Sequence, residues 1–186
     1  MGPGFGLYVA LPTGGALVPL PVETISTARV QVIHNCADAA AATVDVWLND
    51  ALLLDDFNFR DASPFIDAPA NNAFDITIAA PTSTDTTNPV WRNSYTLTGG
   101  EKYILVADGI VSATGYSPAP AFDLSVHMGA EEQAITGGNV ALLVHHGSTD
   151  APMVDVEEIS VPAGVIVDDI SYPEFAGYLD LGAINY

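Results

Sequence analysis

Basic residues are scarce in this sequence of 186 residues. Only four are present, Arg29, Arg60, Arg92 and Lys102, against 23 acidic ones, and the formal net charge is −19. Proteins bind nucleic acid and anionic lipid surfaces through clusters of Lys and Arg that neutralise phosphate groups. Because this chain has no such cluster, we exclude nucleic acid and membrane surfaces as partners.

Cysteine and long apolar runs are also nearly missing. Cys36 is the only cysteine, so no intrachain disulfide can form, and we expect its thiol to be buried. No apolar run approaches the ~20 residues that a helix needs to cross a bilayer, which argues against membrane insertion. The first residues lack the charged region and the apolar stretch of a secretion signal. If the parent protein is exported, this chain is either processed or a window on a longer tandem array.

Motifs that carry catalysis or bind metals are absent as well. The sequence has no Gly-x-Ser-x-Gly, no His-x3-His, no Cys-x2-Cys and no Asp-x-Asp-x-Asp-Gly calcium loop. No nucleophile, base and orienting group can be named together. We therefore predict that the protein is not an enzyme and has no catalytic residue, cofactor or assigned metal ligand. Calcium held where Asp-rich loops converge stays open as an alternative.

The pattern that is present has a period of two residues. Apolar and polar residues alternate along 74–78, and Trp91, Tyr95 and Leu97 share one face of another run. The same reading predicts strands at 29–34, 44–48, 103–107, 122–128, 140–146 and 153–156. Turn-forming pairs separate them: Asn49-Asp50, Asn71-Asn72, Gly99-Gly100, Asp108-Gly109 and Gly137-Gly138. With a hydrophobic fraction of 49%, we predict an all-β, immunoglobulin-like β-sandwich rather than a disordered acidic chain.

Three blocks of sequence occur twice in the same order, which indicates an internal repeat. Val32-Ile33-His34 matches Leu143-Val144-His145, and an Asp-Ala pair follows at 38–39 and at 150–151. Val-Asp-Val then occurs at 44–46 and at 154–156. Finally, residues 55–67 match residues 168–180 without a gap, at a constant offset of 113. We predict one complete and one partial sandwich repeat.

A third similarity lies at the start of the chain, where residues 3–9 resemble residues 120–126. We therefore predict that 1–27 is a closing strand with a linker, 28–138 a complete repeat, and 139–186 the front half of a second repeat. Phe5, Leu7 and Val9 form the candidate strand-donor segment. A half-sandwich exposes strand edges that invite pairing. Whether the donor strand belongs to the same chain or to a neighbour stays open, and we favour the neighbour.

The quoted segments resemble the tandem extracellular repeat known as domain of unknown function 4397. The resemblance rests on 29–34, on the Asp38-Ala39 loop, on Val44-Asp45-Val46, on Ser63-Pro64-Phe65 and on 100–109, which ends in Ala-Asp-Gly. The second copy keeps the loop as 146–152 but has Glu157-Glu158 in place of Trp47-Leu48. The resemblance implies a secreted or surface-anchored β-sandwich of bacteria and archaea that usually occurs in tandem. It implies no activity and no catalytic residue.

Three kinds of residue could take part in catalysis or ligand binding: the histidines, the large aromatic residues and the paired aspartates. We assign a structural role to most of them. His34 and His145, near Asp38 and Asp150, could form a metal or base site, but a repeated histidine more often meets a repeated structural need. We expect its imidazole to bond to the backbone of the following Asp-bearing loop. Four aromatic side chains could form a carbohydrate-binding platform, but we expect them in the core instead: Trp47, Phe74, Trp91 and Tyr95.

The adjacent pairs Asp55-Asp56 and Asp168-Asp169 are the remaining acidic candidates. Neighbouring residues of a strand point to opposite faces. We therefore expect one member of each pair to face outward and the other to lie at a strand end or turn. A glycosidase would need two carboxylates facing one cleft, which the sequence does not establish.

Together these observations predict a secreted or cell-surface structural or adhesive protein. Its partners would be other copies of itself, joined head to tail by strand complementation into a filament. The alternative is a glycan- or calcium-binding module of a larger secreted protein. The two hypotheses differ in the assembly expected: long polymers for the first, and a monomer that binds ligand for the second.

Overall fold

The computed structural model describes residues 8–20, 26–160 and 164–186. These residues form strands and a single short 3-10 turn, Ala39–Ala41, so the chain is all-β as predicted. The strands are β1 Tyr8–Val9, β2 Val18–Pro19, β3 Thr27–His34, β4 Thr43–Leu48, β5 Ala51–Asn58, β6 Ile66–Pro69, β7 Phe74–Ala79, β8 Trp91–Tyr95, β9 Lys102–Asp108, β10 Asp123–Met128, β11 Asn139–His145, β12 Val154–Glu158, β13 Gly164–Ile170 and β14 Phe175–Gly182. None of the described residues belongs to a helix long and apolar enough to span a membrane.

The predicted turn pairs lie where strands end. Asn49, between β4 and β5, has a φ of 53°, and Asn71, between β6 and β7, has a φ of 64°. Asn tolerates this left-handed conformation better than most residues do, so its place in both turns is physically explained. Gly109 follows β9 with a φ of 85°. A Cβ there would stand 2.4 Å from the Ala121 carbonyl oxygen, so that only glycine fits.

Residues 28–138, which we call the first unit, form two four-stranded sheets. The strand order is β10-β9-β3-β6 in one sheet and β5-β4-β7-β8 in the other. The neighbours are antiparallel except for β3 and β9, which run parallel. Alternate residues of both sheets face a shared apolar core that includes Val30, Val32, Val46, Ile78 and Leu105. The first unit is therefore a β-sandwich.

Residues 139–186, which we call the second unit, contribute four strands among the described residues. β11 pairs with β14, and β12 pairs with β13, in two separate two-stranded sheets. Val167, Ile170 and His146 are buried. Each of these two sheets therefore has half the number of strands of a sheet in the first unit.

The N-terminal hairpin, residues 8–20, stands apart from both units. β1 and β2 pair with each other, Tyr8 opposite Pro19 and Val9 opposite Val18, in a sheet of their own. Of the predicted donor residues, Val9 lies in β1 and is exposed, whereas Phe5 and Leu7 lie outside the described residues. Strand donation by this segment stays a prediction.

Candidate functional site

The two strand pairs of the second unit correspond to strand pairs of the first. In the first unit Ala28 lies opposite Ala68, and Val30 opposite Ile66. In the second, Val140 lies opposite Leu181, and Leu142 opposite Leu179. β12 and β13 match β4 and β5 in the same way, including a register shift at the Val-Asp-Val segment of each pair. The constant offset of 113 residues found in the sequence therefore coincides with equivalent backbone pairing.

The histidines correspond differently from the sequence prediction. His34 Nε2 donates to the Ala41 carbonyl at 2.8 Å, and His146 Nε2 donates to the Pro152 carbonyl at 3.1 Å. Both rings are buried. The matching of His34 with His145 is thus wrong by one residue, since a one-residue slip in a strand moves a side chain to the opposite face. The prediction that the repeated histidine bonds to the following loop is confirmed for His34 and wrong for His145, since His146 makes this bond in the second unit.

The inner face of β11 is the most unusual surface of the second unit. Val140 and Leu142 are 44% and 41% exposed, whereas their counterparts Ala28 and Val30 are 1% and 3% exposed. In the first unit the opposing sheet covers this face, and β9 pairs with the corresponding edge of β3. β11 has β14 on one side and, among the described residues, no strand on the other. An apolar face and an open backbone edge therefore coincide.

The equivalent loop aspartates of the two units, Asp38 and Asp150, also differ in burial, and again the residue of the second unit is the exposed one. Asp38 is buried, and its carboxylate accepts hydrogen bonds from the Ala40, Val111 and Ser112 amides and from the Ser112 hydroxyl. Burial disfavours the charged form, but these bonds outweigh it and hold the pKa of Asp38 below its ordinary value. Asp150 is exposed and accepts a bond from the Ser148 hydroxyl. Asp38 thereby fastens the segment that follows β9.

The outer faces of β9 and β11 pack against each other and join the units. Ile104 and Val106 of β9, which point away from the first core, are buried with Ala130 beneath side chains of the second unit. Leu143 of β11 and Phe175 of β14 cover them. The outer face of β11 is therefore already occupied, while its inner face is not.

A polar cluster lies beside this apolar contact. His145 Nε2 and Asp108 Oδ2 are 2.8 Å apart, and His145 Nδ1 lies 3.1 Å from the Glu174 carbonyl. The Asp108 carboxylate and the Glu174 carbonyl are both hydrogen-bond acceptors, so each ring nitrogen of His145 faces an acceptor. Asn35 Nδ2 bridges the units, at 2.8 Å from Asp108 Oδ1 and 3.0 Å from the Gly147 carbonyl. No sequence pattern singles out Asn35, and the sequence indicates Asp108 only as part of a turn and Gly147 only as part of the loop 146–152.

The paired aspartates do not alternate as expected. Asp55 and Asp56 lie within β5 and not at its end. Asp56 has a φ of 50° and lies where the register between β4 and β5 shifts. Asp169, at the equivalent place in the second unit, has a φ of 54°. This bulge brings carboxylate oxygens of Asp45, Asp55 and Asp56 within 4.8 Å of one another, and those of Asp155, Asp168 and Asp169 likewise. The bulge is the reason why the expectation of opposite faces fails.

The buried member of the first acidic group already has partners. Asp45 accepts hydrogen bonds from the Asp56 amide at 3.1 Å and from the Ser83 hydroxyl at 2.6 Å. Asp155 accepts the equivalent bond from the Asp169 amide at 2.9 Å. In the second group, repulsion by Asp169 and Asp155 raises the pKa of Asp168. The geometry of both groups is therefore explained by backbone hydrogen bonds at the bulge.

Three of the four aromatic side chains lie in or against the first core, as predicted, whereas Trp47 is buried outside that core cluster, with its Nε1 donating to the Ser83 hydroxyl. Trp47 and Phe74 are buried, and Trp91 and Tyr95 pack against the core cluster. The free volume enclosed in this core is ≈ 30 Å³ and is lined by apolar side chains with His34. Such a space is close to the size of one water molecule and holds no ligand of metabolite size. Cys36 is buried, as expected, and its thiol donates to the Gly109 carbonyl.

Two packed sheets and a second, open pair of sheets define this molecule as an all-β sandwich protein. The chain belongs to the family described as Domain of unknown function (DUF4397), whose family model matches residues 28–157. The match spans the first unit and continues through β11 into β12. It confirms the resemblance found in the sequence. No curated protein and no solved structure matches the chain.

Proposed function

We propose that this protein is a secreted or cell-surface structural protein whose immunoglobulin-like sandwiches join end to end. The second unit is then the front half of another repeat, and a strand from a neighbouring copy completes it. The observation that carries the proposal is the open inner face of β11, whose register equivalent in β3 is buried. Buried apolar faces and paired edges are the stable condition of a sheet.

Such an assembly is expected to be an open chain, because its two contact surfaces are different parts of the molecule. The open face belongs to β11 and β12, whereas the first unit offers its own complete sandwich. A contact between two different surfaces is heterologous, and it builds an open chain unless the rotation between copies closes a ring. Strand addition to a sheet edge provides both backbone hydrogen bonds and pockets for alternate side chains. A filament or adhesive surface layer is the expected product.

A structural role without catalysis is supported by the state of the histidines. His34 and His146 are buried and bonded to loop carbonyls, and both ring nitrogens of His145 face acceptors. A general base needs a free nitrogen lone pair within reach of a proton on the substrate. These three side chains instead hold strands, loops and units together.

The calcium-binding alternative rests on the two acidic groups at the strand bulges. Three carboxylates within 4.8 Å of one another occur at equivalent places in both units, and calcium prefers oxygen ligands of this kind. If calcium stabilises the protein through the exposed second group, Asp168→Asn should abolish a rise in melting temperature caused by added calcium. If melting is insensitive to calcium, this alternative is wrong. The glycan alternative has less support, because Phe74 lies in the core and Trp91 and Tyr95 pack against it.

Light scattering and electron microscopy of the purified chain test the proposal. Polymers should grow with protein concentration and with added salt, since each copy carries a charge of −19 and the Debye length shortens from ~30 Å at 0.01 M to ~3 Å at 1 M ionic strength. A chain that stays monomeric at every concentration and ionic strength would contradict end-to-end joining.

A further inference from the structure

We propose that the N-terminal hairpin of a second copy docks along the free edge of β11 and extends the two-stranded sheet to the order β14-β11-β1-β2. The inference rests on the proposed function and names the two surfaces that meet. In the chain itself, β1 and β2 join neither unit. The hairpin that fills this place therefore comes from another copy.

The first unit shows what the free edge of β11 is built to receive. β3 has antiparallel β6 on one side and parallel β9 on the other, and β9 in turn carries antiparallel β10. The complete sheet is thus the pair β3-β6 extended by a second, antiparallel pair. β11 and β14 supply the equivalent of the first pair. The hairpin of β1 and β2 is an antiparallel pair that, among the described residues, is joined to no other sheet.

The distribution of charge favours the same contact. Two copies that each carry a charge of −19 repel each other unless the touching surfaces are free of acidic groups. The two longest stretches without Asp, Glu, Lys or Arg are residues 1–22 and residues 133–149. The first contains the hairpin and the second contains β11. The docking surfaces are therefore the least charged parts of the sequence.

The other open edge of the second unit is a poorer acceptor. β12 also lacks the neighbour that β4 has in β7, but Glu157 and Glu158 lie within β12. Asp168 and Asp169 follow in its partner strand β13. An uncharged apolar hairpin gains no compensation for covering four carboxylates, so we assign it to β11.

The positions of proline decide which strand of the hairpin lies inside. Pro19 lies in β2 and has no amide hydrogen, which suits an outermost strand. Residues 4–11, which include β1, contain no proline. β1 is therefore placed beside β11 and parallel to it, as β9 is to β3, although residues 3–9 resemble residues 120–126, which lead into β10. Val9, which is exposed in the hairpin, can then face the uncovered side of the second unit.

Disulfide trapping between two differently labelled chains tests this contact. The native Cys36 is buried, so introduced thiols on the surface react first. Chains carrying Val9→Cys are mixed with chains carrying Leu142→Cys under mild oxidation, and we expect a disulfide between copies. The control mixture replaces Leu142→Cys with Val90→Cys, since Val90 is 43% exposed and lies in the first unit. Cross-linking to Val90→Cys at the same yield would overturn the proposal.

Three further outcomes are decisive. Cross-linking of Val9→Cys to Val156→Cys in place of Leu142→Cys would move the hairpin to β12 and overturn the assignment. An intrachain disulfide in the double variant Val9→Cys, Leu142→Cys would overturn docking between copies. As a second readout, Val9→Asp with Val18→Asp should weaken association more than roughly tenfold, because the contact would bury unpaired charges. Val90→Asp should leave association unchanged.

The same experiments separate this inference from the proposed function. Polymers that persist unchanged in the Val9→Asp, Val18→Asp variant and in a chain lacking residues 1–20 would overturn docking of the hairpin, while end-to-end joining would stand. A native chain that forms no polymer and no cross-link would overturn both.

Discussion

Val30 in β3 and Leu142 in β11 hold the same place in equivalent strand pairs, opposite Ile66 and Leu179, yet only Val30 is covered by a second sheet. The comparison shows that the pairing of the first two strands does not depend on the strands that close the sandwich. Backbone hydrogen bonds, the turn and the loop histidine are kept in both units. Under the proposed function, closing the core of the second unit is a separate step, which a strand of another copy would supply.

Charge divides the two units as clearly as burial does. All four basic residues lie in the first unit, where Arg29 and Lys102 both contact Glu132, Arg60 lies over the Phe59 ring, and Arg92 bonds to Thr77. The second unit has eight acidic residues and no basic one. Of the two units, the one with less apolar burial therefore also has less charge compensation, and its stability should depend on ionic strength.

The largest expected difference between the units concerns the equivalent loop aspartates. Asp38→Ala should lower the free energy of unfolding by roughly 2–3 kcal/mol, because it removes a buried carboxylate and leaves the part-buried Val111 and Ser112 amides unpaired. Asp150→Ala should change it by no more than about 0.5 kcal/mol. Urea unfolding followed by tryptophan fluorescence measures both variants. Equal losses would mean that the loop of the second unit is as firmly bound as that of the first.

The next difference concerns the matched apolar pair. Val30→Ala removes buried methyl groups from the closed core and should cost roughly 2 kcal/mol in urea unfolding. Leu142→Ala, on the open face, should cost well under half of that in dilute solution, although more atoms are removed. If Leu142→Ala were the costlier change in the monomer, the inner face of β11 would be covered within the chain.

A smaller effect is expected at the joint between the units. A Cβ at Gly147 would stand 2.0 Å from Asn35 Nδ2, so Gly147→Ala must displace Asn35 from its bond to Asp108. We expect the free energy of unfolding to fall by about 1–2 kcal/mol in calorimetry. Gly137→Ala serves as the control, because nothing lies within 4 Å of its Cβ position. Equal results for the two variants would show that the joint tolerates movement.

The smallest expected effect is a pH dependence of the first unit. Burial lowers the pKa of His34, whereas the unfolded chain takes up the proton near pH 6.5. Below that pH the unfolded state binds more protons, so the free energy of unfolding should fall as the pH decreases toward the lower folded pKa. His34→Gln keeps an amide donor for the Ala41 carbonyl and should reduce this fall by about 1 kcal/mol. Identical pH profiles would contradict a buried, neutral His34.

Much of the first unit could be predicted from its sequence, because alternating strands and turn pairs are local signals. The strands β5 and β6 were not predicted. β5 has three consecutive leucines after Ala51 and contains the bulge at Asp56, which removes the alternation, and β6 is short and ends at Pro69. The repeat at an offset of 113 was found, but the histidine was misplaced by one residue, since two adjacent histidines allow two alignments.

The candidate site was predictable only in outline. The sequence suggested an open half-sandwich, because three blocks recur and their continuation does not. The joint between the units could not be predicted, since Asn35, Asp108 and Gly147 meet only when two separate sheets pack through their outer faces. Contacts between residues 37 to 112 positions apart leave no local pattern in a single sequence.

Hydrogen exchange of backbone amides in β3 and β11 tests the central comparison most directly. In dilute solution the amides of β3 should exchange slowly, and those of β11 that face its free edge should exchange rapidly. At concentrations where polymers form, the β11 amides should become protected while those of β3 stay unchanged. β11 amides that are as protected as those of β3 in the dilute monomer would contradict an open second unit completed by a neighbouring copy.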